Sequence, residues 1–164
     1  MSKSKVKTML IVFFDFRGIV HHEFLPPGQT VTQHVYKEVL ERLRKRVLRV
    51  RPDLAPDKWV LHHDNAPAHS AISVKQFLAH KTILTLEHAP YSPDLAPCDF
   101  FLFPKLKSFL KGTRSDDLED IKRRTTACLK VVTPEDFQGC FEAWKKRMQK
   151  CINSKGEYFE GDRI

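Results

Sequence analysis

Two β-rich apolar runs joined by a short polar turn make up KTMLIVFFDFRGIVHHEFL, residues 7–25. Gly18 can take the positive φ that a tight hairpin loop needs, so the segment predicts a β-hairpin. PPGQT (26–30) ends it, and the period then changes. Val35, Val39, Leu40, Leu43 and Val47 recur at helical intervals behind Thr30 and Gln33, which have capping-box spacing. They predict a helix over 31–49 whose other face carries Arg42, Lys45, Arg46 and Arg49. WVLHH (59–63) reads as a short buried strand. A helix near 70–80 follows, with Val74, Phe77 and Leu78 on one side and Ser70 as its cap, and TILTLEH (82–88) is a further strand.

HAPYSPDLAPCDFF (88–101) breaks the periodicity with prolines at 90, 93 and 97 and reads as a loop of restricted shape. A helix follows Pro104 and ends at Gly112. Ser115, Asp116 and Asp117 open the next, whose apolar stripe is Leu118, Ile121, Leu129 and Val132. Thr133-Pro134-Glu135-Asp136 opens the last, with Phe137, Phe141, Trp144 and Met148 on its inner face. The order of hairpin, helix, strand, helix, strand and helices predicts one layered α/β domain over 1–164.

Charge changes the picture modestly. Twenty-eight Lys and Arg against twenty Asp and Glu leave +8, which favours a polyanionic partner. RLRKRVLRVR (42–51), KRR (122–124) and KKR (145–147) can each be a solvated helix face, or together a phosphate-contacting surface with no assigned residues. Cys98, Cys128, Cys140 and Cys151 show no metal or redox spacing and read as buried free thiols of a reducing compartment. No run has the pattern of a secretion signal or the length of a membrane span, so the expectation is a soluble intracellular protein without membrane contact.

Candidate chemistry lies in the carboxylates. Asp64 sits at the end of one predicted strand and Asp99 follows another, on the sheet edge where α/β folds gather ligands. Acids supplied by separate elements suit hard divalent cations, which take oxygen ligands and can clamp a phosphodiester. Asp15 falls in the hairpin turn, where Asp is favoured for local hydrogen bonds, and Asp94 in YSPDLAP reads as a turn residue. His62, His63 and His69 invite a zinc site, but adjacent strand residues point to opposite faces, so His62 and His63 do not share one metal.

HHDNAPAH (62–69) followed by YSPDLAPCDFFLFPKLKSFLKG (91–112) resembles the catalytic core of mariner-type transposases, in the wider Tc/mariner group. Residues 65–98, thirty-four in all, separate Asp64 from Asp99, as they separate that family's second and third metal-binding aspartates. The resemblance extends to the hairpin and the later helices. It implies an RNase H-like mixed sheet flanked by helices, with Asp64 and Asp99 as catalytic metal ligands and Asn65 matching the family's Asn. Mg²⁺ is the implied cofactor, with Mn²⁺ as a substitute. The implied activity is phosphodiester hydrolysis at transposon ends and strand transfer into TA-containing target DNA, by a nuclear homodimer. The family's first aspartate lies on a strand upstream of the hairpin, and the chain begins at Met1 just before the hairpin. The expectation is therefore a sheet lacking its first, central strand, and a chain nearly inactive alone. The alternative is a catalytically dead DNA-binding or dimerising remnant.

Overall fold

The computed structural model describes residues 8–54, 58–89, 92–112 and 117–154. These form two compact units, one of residues 8–14 and 19–89, the other of 15–18 and 92–154.

In the first unit, strands β1 (Leu10–Asp15) and β2 (Gly18–Phe24) form a two-stranded sheet, as the apolar runs predict. Helix α1 (Gln33–Val50) follows. Its cap is Thr32, whose hydroxyl accepts from the Val35 amide at 3.2 Å, so the predicted Thr30–Gln33 box is displaced by two residues. The buried stripe is Tyr36, Val39, Leu40, Leu43 and Val47. Tyr36 takes the place predicted for Val35, which is only half-buried.

Strand β3 (Val60–His62) pairs in parallel with β4 (Leu84–Leu86), placing Val60 opposite Leu84 and His62 opposite Leu86. The expectation of a buried strand is corrected here. Alternation buries Leu61 and packs Trp59 against the core, while Val60 is 56% exposed. Between these strands lie a single helical turn, α2 (Pro67–Ser70), and helix α3 (Ile72–His80). Val20, Leu40, Leu43, Leu61, Val74, Leu78 and Ile83 close one core around Tyr36. Each fully buried aliphatic side chain there contributes about 1.5–3 kcal/mol.

The second unit contains the hairpin tip, a 3₁₀ turn (Pro93–Leu95), a π turn (Cys98–Leu102) and helices α4 (Phe103–Leu110), α5 (Leu118–Val131) and α6 (Pro134–Asn153). The predicted loop is thus partly helical. Its widened turn precedes Pro104, which has no N–H to continue the ladder in α register. Asp117 caps α5 by accepting from the Glu119 amide at 3.0 Å, whereas Ser115 and Asp116 lie outside the described residues. Thr125, Cys128 and Leu129 are its buried residues, in place of the predicted Leu118, Ile121 and Val132. Thr133 caps α6 as predicted, accepting from the Asp136 amide at 3.2 Å. All four cysteines are free. Cys128 and Cys140 are buried, while Cys98 and Cys151 are only half-buried. No helix among the described residues is long and apolar enough to cross a membrane.

Candidate active site

β3 ends at His62, and residues 63–66 turn the chain into α2. Asp64 Oδ1 accepts from the Ala66 amide at 3.1 Å, a local turn that places Pro67 at the start of α2. Ser70 does not cap the next helix. Its hydroxyl donates back to the Ala66 carbonyl at 3.2 Å, and Ala71 holds the cap position of α3. Asp64 thus closes the turn before α2, and 52% of its side chain stays accessible.

His69 Nδ1 lies 2.6 Å from the same Asp64 oxygen. Its ring stacks on Tyr36, with centroids 4.0 Å apart, and on His63, 5.4 Å away. The Tyr36 hydroxyl is 2.7 Å from His63 Nδ1. Burial, with the Asp64 charge adding to it, pushes the Tyr36 phenol well above its ordinary range. Burial, then the neighbouring His69, pushes His63 down to about 4. At neutral pH the phenol keeps its proton and His63 is neutral, so this hydrogen bond joins two uncharged groups. Asn65 Nδ2 donates to the His88 carbonyl at 2.8 Å and ties the Asp64 turn to the segment after β4.

The histidines do not assemble a zinc site. His62 lies against β4, its Nδ1 3.2 Å from the Leu86 carbonyl, whereas His63 meets α1 through Tyr36. Among the described residues no group of three or more His, Cys, Asp or Glu is placed to hold a metal ion. Asp15 acts in the hairpin turn, where its Oδ1 accepts from the amides of Arg17 at 2.9 Å and Gly18 at 3.2 Å.

Asp99 belongs to the second unit, and the structure sets it in the first turn of the π segment rather than in a loop. Its amide donates to the Ala96 carbonyl at 2.9 Å, while Leu95, Ala96 and Pro97 beneath it are buried and Asp99 is exposed. Arg147 of α6 holds this segment. Its NH1 donates to the Asp94 carbonyl at 3.2 Å, and its guanidinium carbon lies 4.3 Å from the Phe100 ring centre. Both aspartates are thus exposed oxygen donors on ordered turns. Each is by itself an oxygen donor of the kind that hard cations such as Mg²⁺ accept.

Much of the basic sequence is engaged locally. Arg42 makes a two-pronged pair with Glu23 at 2.9 and 2.8 Å, and Arg44 bonds Glu41 at 2.9 Å. Arg123 and Arg124 pair with Asp120, and Lys145 with Glu142 at 3.0 Å. Sequence reasoning missed Tyr36, His69 as a partner of Asp64, and Arg147. The aromatic phase of α1 was the available signal for Tyr36, whereas Arg147 had none beyond membership of a basic run.

The family profile described as transposase, partial DDE domain, matches residues 2–56. The Mos1 mariner transposase of Drosophila mauritiana is 34% identical over 156 residues, 94% of this chain and 45% of Mos1. The solved Mos1 catalytic domain with raltegravir and Mg superposes with a TM-score of 0.87 at 35% identity, covering 93% of this chain and 77% of that one. This chain belongs to the mariner-type transposases. Its fold is the RNase H-like fold of their catalytic domain. The Mos1 paired-end complex with Mn superposes equally well, with a TM-score of 0.87 at 33% identity over 98% of this chain and 48% of that one. The chain thus spans less than half the length of the full-length Mos1 transposase.

Proposed function

We propose that this mariner-type domain serves cut-and-paste DNA transposition, with Asp64 and Asp99 as ligands of Mg²⁺ or, as a substitute, Mn²⁺. The observation that carries the proposal is the pair of exposed aspartates on ordered turns, with residues 65–98 between them, in a chain 34% identical to Mos1. When bound, the divalent ions lower the pKa of the attacking water or 3′-hydroxyl and stabilise the leaving oxygen. The protein's part is to hold the carboxylates ready. The Ala66 amide bonds one oxygen of Asp64, which limits rotation of the group before a cation arrives, and His69 Nδ1 lies against the same oxygen.

The proposed DNA partners are transposon ends and TA-containing target. Mos1 has been solved in a paired-end complex, and the net charge of +8 favours a polyanion here. Assembly as a homodimer and a nuclear location complete the proposal. Because the chain spans 45% of the length of Mos1, the proposal expects only slow cutting from these 164 residues tested alone. A nicking assay on supercoiled DNA with Mg²⁺ or Mn²⁺ tests this. The expected result is trace cleavage, lost on Asp64→Ala or Asp99→Ala. Robust cleavage that Asp64→Ala abolishes would overturn the expected weakness while keeping the site. Cleavage indifferent to both substitutions would remove the two aspartates from the chemistry. DNA retention without any cleavage would favour the remnant reading.

A further inference from the structure

We infer that Arg147 is a positioning residue for Asp99, holding the turn that presents this carboxylate from a helix far along the chain. The inference rests on the reading of Asp99 as a metal ligand. Arg147 comes from KKR (145–147), a run that its charge alone marks as a solvent or phosphate face. Its neighbours fit that description: Lys145 pairs with Glu142 on the same helix, and Lys146 is exposed. Arg147 does something else.

Its guanidinium grips the Asp99 segment at two points. NH1 donates to the Asp94 carbonyl at 3.2 Å on one side of the aspartate, and the guanidinium carbon sits 4.3 Å from the centre of the adjacent Phe100 ring on the other. Between these points the chain is already tight. The Asp99 and Phe100 amides both donate to the Ala96 carbonyl, at 2.9 and 3.0 Å, and Pro97 fixes one φ angle. The platform is firm as well, since α6 is anchored through buried Phe137 and Cys140.

A planar guanidinium can stack on a ring and donate in its own plane at the same time. A lysine ammonium keeps the charge but cannot make both contacts from one position. The arrangement therefore calls for arginine, which a phosphate contact or a solvated face does not. Arg147 makes its contacts with Asp94 and Phe100, which lie on either side of Asp99 in the chain. Its effect passes through the backbone between Asp94 and Phe100.

The test compares the whole 164-residue chain, isotope-labelled, as wild type, Arg147→Lys and Arg147→Ala. Amide hydrogen exchange reports the turn, and line broadening of Asp99 on addition of Mn²⁺ alone reports the carboxylate. Loss of the stacked, bonded contact should speed exchange of the Asp99 and Phe100 amides about tenfold in Arg147→Lys. The amides of α6 should stay as protected as in wild type, and the Mn²⁺ concentration needed to broaden Asp99 should rise several-fold. Unchanged exchange at Asp99 and Phe100 in both variants overturns the inference. So does acceleration spread evenly along α6, which marks Arg147 as packing only. A wild-type chain whose Asp99 shows no Mn²⁺ broadening counts against the metal-ligand reading itself, and the exchange comparison still decides whether Arg147 holds the turn. Arg147→Lys retains charge and stem, so the comparison stands even where Arg147→Ala fails to fold.

Discussion

Glu23 shows how one side chain can link pH to stability in the first unit. It lies on β2 and receives two hydrogen bonds from Arg42 of α1, at 2.9 and 2.8 Å, with His21 Nε2 2.7 Å away. Burial pushes its carboxyl up, but the hydrogen bonds from Arg42 and His21 outweigh burial and hold it below its ordinary 4.5. A carboxyl lowered in the folded state stabilises the fold fully above its unfolded value and loses that contribution as pH falls through its folded value. Arg42→Ala should therefore destabilise the protein by about 1 kcal/mol near neutral pH, since the pair is only partly buried. Thermal melts of the two proteins between about pH 6 and about pH 3 check this: the gap between them should close toward the acid end. A gap that stays constant would disprove the linkage. Residue-scale pairings of this kind are poorly legible in sequence. The side chain of Arg42 is correctly read as lying off the apolar stripe, yet nothing local marks Glu23, across a turn and on another element, as its partner. The same holds for Asp64. Its place at the end of a strand can be read from WVLHH, but its contact with His69 depends on how α2 folds back.

At the scale of elements, the end of α3 is the clearest case of a structure that propensity hides. The Thr82 amide donates to the Ala79 carbonyl at 3.1 Å, and the Ile83 amide to the Leu78 carbonyl at 2.8 Å. Those two bonds, with Ile83 and Leu78 both buried, make a Schellman termination. The left-handed position belongs to Thr82, at φ 58°, where a helix end usually has glycine. A β-branched residue is strained there, so TILTLEH reads in sequence as strand from its first residue, while the described strand begins only at Leu84. Thr82→Gly should relieve this strain and stabilise the protein by about 1 kcal/mol, read as a higher melting temperature or urea midpoint. A lower midpoint would mean that the threonine side chain contributes more than its backbone costs. Elements with strong local signals behave differently. The hairpin has a glycine at its turn, and α6 has Thr133 and Pro134 at its start; both are read correctly because a cap or a turn is settled by its own few residues. The π turn before α4 was not legible, since its register depends on what Pro104 denies to the ladder behind it.

For the whole molecule, the question is what a net charge of +8 does once its members are placed. Arg42, Arg44, Arg123, Arg124 and Lys145 have acidic partners, so the runs that look most basic in sequence present less free charge than their composition implies. The excess itself remains, because pairing redistributes charge without cancelling the sum. A transposase role requires that this excess meet phosphates, and such contacts release counterions. Retention of a DNA duplex should then fall linearly in log–log form as salt rises. For about six phosphate contacts the loss between about 50 and about 200 mM salt is on the order of a thousandfold. Asp64→Ala and Asp99→Ala should leave retention unchanged or raise it slightly, since each removes a negative charge beside the proposed metal-holding face. Filter binding or fluorescence anisotropy across a salt series measures both effects. Affinity that ignores salt would mean that binding, if any, is not made by this charge, and would leave the basic excess with a role in solubility alone. A steep slope together with loss of binding on Asp64→Ala would point instead to a cation bridge between the acids and the DNA, because only an ion held by the carboxylate turns its removal into weaker attachment.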